Sequence, residues 1–183
     1  TGWGRQYRHR LYQCWGIVDL EDIENGVRQV IDEGFVAPDR IAIRGGSAGG
    51  YSVMACLANS KLFSAGASYY GISDLEMLAQ ETHKFEAHYL DSLIGPLPEA
   101  KNRYIERSPI NKIENISAPL LLLQGLEDKV VPPSQAELIC NKLQRQGTEV
   151  TYLTFSDEGH GFRQSKNQIR ALNAELDLSL IHI

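Results

Sequence analysis

Cysteine is scarce in this sequence, and the few cysteines are far apart. The 183 residues contain three of them, Cys14, Cys56 and Cys140. An odd number at wide spacing favours reduced thiols over a disulfide framework or a zinc knuckle. Cys56 lies in an apolar stretch, which predicts that it packs in the core.

Long apolar runs and clusters of positive charge are also missing. No stretch approaches the roughly 20 apolar residues of a membrane span, and residues 1–10 are too polar for a signal peptide. We therefore expect no membrane partner and a cytoplasmic location, unless a targeting segment precedes Thr1. The net charge is -5 and the lysines and arginines are scattered, so we expect no nucleic-acid partner.

The composition that is present is globular, with 43% hydrophobic and 22% charged residues, enough for one sizeable core. Short apolar runs alternate with helical patterns, which predicts an α/β domain with a parallel sheet and helices on both faces. The predicted strands are residues 41–43, 63–71, 119–125 and 150–155. The predicted helices are residues 18–35, 51–59, 135–146 and 167–178, with a helical excursion over the active-site end between residues 75 and 115.

A glycine-rich segment at residues 44–51, Arg-Gly-Gly-Ser-Ala-Gly-Gly-Tyr, joins a predicted strand to a predicted helix. This context is typical of a nucleophile elbow, where small neighbours let the helix pass close to a serine on a strained turn. Gly45 and Gly49 would be those neighbours, and Ser47 would be the nucleophile. Short motifs also match by chance, so a structural Gly/Ser loop is the alternative.

An acid and a histidine follow Ser47 in the chain order of the α/β-hydrolases. Asp128 lies in the loop after the leucine-rich strand, at the sheet edge where α/β proteins bind ligands. His160 lies between two glycines after the next strand. We therefore predict Ser47, Asp128 and His160 as catalytic residues, with Glu127 as the competing acid.

Metal chemistry receives little support from the sequence. His83 and His88, with Glu86 between them, are five residues apart and share a helix face poorly. We expect these histidines to be surface residues, and we expect neither a metal nor a cofactor.

Three segments carry a resemblance to a known family: residues 45–51, 122–132 and 159–162, which read GGSAGGY, LLQGLEDKVVP and GHGF. They resemble the catalytic domain of prolyl oligopeptidase-family serine peptidases, and within it the acylaminoacyl-peptidase and dipeptidyl-aminopeptidase-like branch. The resemblance extends from Thr1 to about residue 178. It implies an α/β-hydrolase fold, peptide substrates and a β-propeller domain upstream.

The two ends of the chain carry separate expectations. Residues 1–5 resemble the loop after an early strand of these enzymes, so we expect residues 1–177 to be the C-terminal part of a hydrolase domain. We expect such a part to be poorly active alone, because strand 41–43 would lack a neighbour. Residues 178–183, LSLIHI, match the translated end of a common sequencing adapter, fit no helix continuation and are expected to be a non-native tail.

The predicted reaction is acyl transfer to water through an acyl-enzyme. Ser47 attacks a peptide carbonyl, His160 takes and returns the proton, and Asp128 orients the imidazole. The backbone N–H of Ala48 would be one oxyanion donor, and an earlier loop would supply the second. The resemblance also implies a pocket for an uncharged acyl-side residue, although the same side chains would equally suit ordinary core: Tyr51, Tyr70, Ile72 and Val131.

Two other functions fit the same residues. An esterase or lipase shares the triad and the fold and differs in its preferred substrate. A non-catalytic hydrolase-like interaction module is the alternative from a different class, and the complete set of Ser47, Asp128 and His160 argues against it.

Overall fold

A parallel four-stranded sheet forms the centre of the chain. The computed structural model describes residues 2–81 and 88–183. The strands lie in sequence order across the sheet: β1 (Ala42–Gly46), β2 (Ala65–Tyr69), β3 (Leu120–Gly125) and β4 (Val150–Phe155). Every neighbouring pair is parallel. The predicted α/β class is confirmed, and all four strands end at one edge of the sheet.

Eight helices surround or precede these strands within the described residues. They are α1 (Gly4–His9), α2 (Val18–Asp32), α3 (Ala48–Asn59), α4 (Leu75–Glu81), α5 (Tyr89–Leu93), α6 (Lys101–Arg107), α7 (Pro133–Gln146) and α8 (Ser165–His182). Short 3-10 turns occupy Pro109–Asn111 and Ile113–Asn115. Between β2 and β3 the described residues form helices and turns and no strand, as the predicted excursion requires.

Helices cover both faces of the sheet, which explains why β3 contains a run of four leucines. Leu120 and Leu122 belong to the large core cluster that includes α3 and α7, whereas Leu121 and Leu123 pack in a second cluster with α8. A strand buried on both faces has no need of polar alternation. Helix α7 begins at Pro133 and ends before Gly147, which has the left-handed conformation typical of a C-terminal cap.

β1 is less buried than the sequence predicts, because Ile41, Ala42 and Ile43 show no polar alternation and such a run is expected where both faces of a strand are covered. Within the described part of the chain it pairs with β2 alone, and its residues alternate between exposed and half-buried. β1 therefore has one edge whose backbone groups lack a strand partner among those residues.

The last residues continue a helix, so the expectation that they fit no helix continuation is wrong. Helix α8 extends to His182, because leucine and isoleucine accept helical backbone readily. The side chain of Arg40 donates to the Ile183 carbonyl at 2.9 Å, and His182 lies 3.3 Å from Glu149. The non-native origin expected for residues 178–183 stays a prediction.

None of the described helices combines the length and the apolar character needed to cross a membrane. Cys56 and Cys140 are buried and Cys14 is half-buried, and all three are free thiols. The core position predicted for Cys56 is confirmed.

Candidate active site

Ser47 is the single residue between the end of β1 and the start of α3, and its backbone has a strained conformation. Its φ is 56° and its ψ is -119°, in a region that non-glycine residues rarely adopt. The backbone N–H of Ser47 donates to the Tyr69 carbonyl at 2.9 Å, which fixes the turn against the end of β2. Strain of about 1–3 kcal/mol persists only where surrounding contacts enforce it, and such positions cluster at functional sites.

The glycines around Ser47 have different roles from those that the motif suggests. A Cβ on Gly45 would lie 2.4 Å from the Gly49 carbonyl oxygen, so the start of α3 can approach β1 only if residue 45 is glycine. A Cβ on Gly49 would meet nothing within 4 Å. The second close approach is at Gly50, where a Cβ would lie 2.7 Å from the Gly71 Cα. Gly45 therefore has the predicted steric role and Gly49 does not.

The structure brings together the three side chains predicted to be catalytic. His160 Nε2 lies 2.8 Å from Ser47 Oγ, and His160 Nδ1 lies 2.8 Å from Asp128 Oδ2. With a neutral imidazole, Nδ1–H donates to the carboxylate and the Ser47 hydroxyl donates to Nε2. This is the hydrogen-bonded order that lets a histidine accept a serine proton.

Asp128 is held rigidly by the loop that follows β3. Its Oδ1 accepts the backbone N–H groups of Val130 and Val131, each at 2.9 Å. Its side chain has no exposed surface, whereas that of His160 is 24% exposed. Glu127 is exposed and is not the partner of His160. Of the two candidate acids, only Asp128 is placed to orient the imidazole.

Gln124, a buried side chain at the end of β3, reinforces Asp128. Its Nε2 lies 3.4 Å from Asp128 Oδ2, the oxygen that binds His160, and also donates to the carbonyls of Gly125 and Val131. Sequence reasoning missed this residue. The available signal was a polar side chain that directly follows four leucines in a buried strand.

The Ala48 N–H, predicted as an oxyanion donor, lies at the start of helix α3, next to Ser47. Ala48 is the first residue of α3, so its N–H has no acceptor within the helix, and the positive end of the helix dipole lies at the same point.

Three of the four residues expected to line a pocket lie in the core. Tyr51 has no exposed surface, donates its hydroxyl to the Arg107 carbonyl at 3.0 Å and packs 4.5 Å from the Trp15 ring. Ile72 and Val131 are buried in the same cluster. For these three the core alternative is what the structure shows, since each belongs to the large buried cluster.

Tyr70 is the exception among those four residues. It is half-buried, its φ is 39°, and its ring centroid lies 4.8 Å from that of His160 in an edge-on arrangement. It also contacts Phe162 edge-on, and the two rings face a cavity of about 370 Å³ between β1 and α8. Tyr70 thus forms an aromatic wall beside the histidine.

The described residues offer no metal site, and the buried Cys56 thiol is not an alternative to Ser47 as nucleophile. Residues 2–81 and 88–183 contain no cluster of histidine, cysteine or carboxylate side chains suited to a metal. His88 is exposed and pairs with Asp91 at 2.9 Å, while His83 and Glu86 lie outside the described residues. Burial raises the pKa of the Cys56 thiol to about 12, so this thiol is not a competing nucleophile at neutral pH.

In a comparison with protein-family models, residues 1–181 match the prolyl oligopeptidase family. Among curated proteins, the chain is 31% identical over 180 residues to dipeptidyl aminopeptidase BIII of Pseudoxanthomonas mexicana, covering 95% of this chain and 26% of that protein. It is 29% identical over 170 residues to the acylamino-acid-releasing enzyme of Arabidopsis thaliana, covering 87% of this chain and 22% of that protein.

Solved structures give a closer likeness. A Mycobacterium tuberculosis puromycin-hydrolyzing peptidase superimposes with a TM-score of 0.98 at 46% identity, covering all of this chain and 28% of that one. An acylaminoacyl peptidase of Pyrococcus horikoshii gives 0.87 at 28% identity, covering 98% and 30%. The chain therefore spans between a fifth and a third of the length of the proteins that it matches.

Proposed function

This chain belongs to the prolyl oligopeptidase family, and from that membership we propose that it holds the catalytic centre of a serine peptidase. Its parallel sheet, elbow and loop order are those of the α/β-hydrolase fold. The observation that carries the proposal is the continuous hydrogen-bonded path from Ser47 through His160 to Asp128. The activity is proposed for the longer protein, since the chain spans only part of each relative.

The proposed acylation step follows from this path. Ser47 Oγ attacks the substrate carbonyl while His160 Nε2 accepts the hydroxyl proton, and the imidazolium then donates that proton to the leaving amine. Asp128 stabilises the imidazolium through Nδ1–H. In deacylation, His160 accepts a proton from a water molecule as the water oxygen attacks the acyl-enzyme carbonyl. The imidazolium then returns that proton to Ser47 Oγ, which leaves as the free hydroxyl.

The Ala48 N–H would stabilise the developing oxyanion. One such donor contributes about 3–4 kcal/mol to the transition state, so it is a major part of the rate. The resemblance implies that a second donor comes from an earlier loop, and a β-propeller upstream is part of the same proposal. The full-length coding sequence tests whether such a loop and a propeller domain are encoded upstream.

The substrates that we propose are amides with an uncharged, aromatic acyl-side residue. The structural likeness to the puromycin-hydrolyzing peptidase, at 46% identity, supports this class over acylated peptides, for which the acylaminoacyl peptidase match is 28%. Puromycin itself joins an aromatic aminoacyl group to an aminonucleoside through an amide bond.

Steady-state kinetics on the full-length protein test this proposal and separate it from the esterase alternative. We expect puromycin and aromatic aminoacyl amides to give a higher kcat/KM than acylated peptides or simple esters of similar size. Ser47→Ala and His160→Ala should each lower kcat by about 10⁶-fold. A preference for simple esters favours the esterase, and an inactive full-length wild type favours the interaction module.

A further inference from the structure

His160 lies in a short loop between β4 and α8 whose two ends are joined by one carboxylate. Glu158 Oε2 accepts the Arg163 backbone N–H at 2.8 Å, and Oε1 accepts the Gln164 N–H at 2.9 Å. The same Oε1 accepts Asn167 Nδ2 at 2.9 Å. A carboxylate two residues before the histidine thus binds backbone three and four residues after it, and it closes the loop into a ring.

The backbone of Glu158 also joins this loop to the one that contains Asp128. The Glu158 carbonyl accepts the Glu127 N–H at 2.9 Å. A Cβ on Gly125 would lie 2.4 Å from that carbonyl, so the two loops touch without room for a side chain. The placement of His160 relative to Asp128 therefore depends on contacts made by Glu158.

Glu158 keeps its charge although only 3% of it is exposed. Burial favours a raised pKa, but the hydrogen bonds from the Arg163 N–H, the Asn167 amide and the Gln164 N–H outweigh it and hold the pKa of Glu158 below its usual value. Hydrogen bonds to an ionised acceptor are stronger than those between neutral groups. The ring around His160 is closed by three of them.

We propose that Glu158 is a positioning residue whose carboxylate sets the distance between His160 and Ser47. This inference rests on the proposed function. A glutamine at this position cannot replace the carboxylate, because it has one acceptor oxygen and an amide nitrogen that would face a backbone N–H. One hydrogen bond of the ring would then be lost, and the loop would no longer hold His160 at a fixed distance from Ser47.

Asp157 provides a matched control beside Glu158. Its Oδ1 accepts the same Asn167 amide at 2.9 Å and its Oδ2 pairs with Lys166 at 2.7 Å. Its carboxylate does not bind the backbone of residues 163 and 164, which Glu158 holds. Asp157→Asn therefore removes the same charge from the neighbouring position and leaves the ring closed.

The test compares wild type, Glu158→Gln and Asp157→Asn in the full-length protein. The readouts are the rate of fluorophosphonate labelling at Ser47, kcat and KM for an aromatic aminoacyl amide, and Tm. Misplacement by about 1 Å costs roughly 10²-fold in rate, so we expect Glu158→Gln to lower kcat and the labelling rate by that factor. KM should change by less than about threefold, and Asp157→Asn should keep both rates within about threefold of wild type.

A purely structural role would lower Tm and leave the kcat of the folded enzyme unchanged, and that result overturns the proposal. If Glu158→Gln does not fold, Glu158→Asp keeps the charge but is too short to reach both backbone N–H groups, and its kcat should fall about tenfold. Wild-type kcat in a folded Glu158→Asp variant also overturns the proposal. A wild type that neither labels at Ser47 nor hydrolyses the amide overturns the proposed function, and this inference with it.

Discussion

Replacing Asp128 by asparagine tests how the acid loop controls the histidine. Asp128 Oδ1 accepts two backbone N–H groups, from Val130 and Val131, and Oδ2 accepts His160 Nδ1–H. An asparagine has one acceptor oxygen, and the two backbone donors will bind it. Its NH₂ group must then face His160 Nδ1, which becomes an acceptor, so the ring proton moves to Nε2.

A proton on Nε2 blocks the base that Ser47 requires. The wrong tautomer costs about 10⁴-fold in kcat, equivalent to about 5.4 kcal/mol at 1.36 kcal/mol per tenfold. KM should change little, because Asp128 is buried and is positioned to contact the histidine rather than the substrate. The assay is steady-state hydrolysis of an aromatic aminoacyl amide by the full-length protein, with Tm measured in parallel to show that the variant is folded.

Glu127→Gln is the matched control for this prediction, since Glu127 is adjacent and exposed. We expect its kcat within about twofold of wild type. If Asp128→Asn retained more than a tenth of the wild-type kcat, the tautomer argument would be refuted. If the two effects were reversed, Glu127 would be the acid.

Three further predictions follow from the elbow, the histidine loop and the aromatic wall. Gly45→Ala should lower the free energy of unfolding by about 1–3 kcal/mol or more, because its Cβ would lie 2.4 Å from a backbone oxygen. Gly49→Ala has free space in α3 and should be neutral or stabilising. Urea denaturation of both variants checks this, and equal losses of stability would contradict it. Hydrogen bonds, first from Lys166 and then from Asn167, lower the pKa of Asp157 from 3.8 to about 2, so the ionised Asp157 stabilises the fold above about pH 4 and loses this effect as the pH falls towards 2. The Tm difference between wild type and Asp157→Asn should therefore disappear between about pH 4 and 2. A Tm difference that grew on acidification would contradict this. Substrates with an aromatic acyl-side residue should exceed those with Asp or Lys in kcat/KM, because unpaired charge is costly beside the Tyr70 and Phe162 rings; a clear preference for a charged residue would contradict the proposed substrate class.

The sequence carried enough information to predict the sheet and the order of the three catalytic candidates. Four consecutive leucines predicted a strand, which the structure buries completely, and Ser47, Asp128 and His160 each follow a strand that ends at the same sheet edge. Parallel strands bring their following loops together, so residues far apart in sequence become neighbours through topology alone.

Side-chain direction is what the sequence could not supply. Tyr51 and Tyr70 were equally plausible pocket residues, yet Tyr51 points into the core and only Tyr70 contacts His160. Gln124 and Glu158 read as ordinary polar residues, because their partners lie on other turns and loops. The distinct roles of Gly45 and Gly49 likewise depend on how closely a helix approaches a strand, which motif spacing does not encode.

The central claim is that Ser47 is the nucleophile of a serine hydrolase, and its most direct test is active-site labelling. The full-length protein would be treated with a fluorophosphonate, digested, and mapped by mass spectrometry alongside Ser47→Ala and His160→Ala. The account predicts that Ser47 alone carries the label in wild type and that both variants remain unlabelled. A label on any other serine, or undiminished labelling of the Ser47→Ala variant, would contradict it.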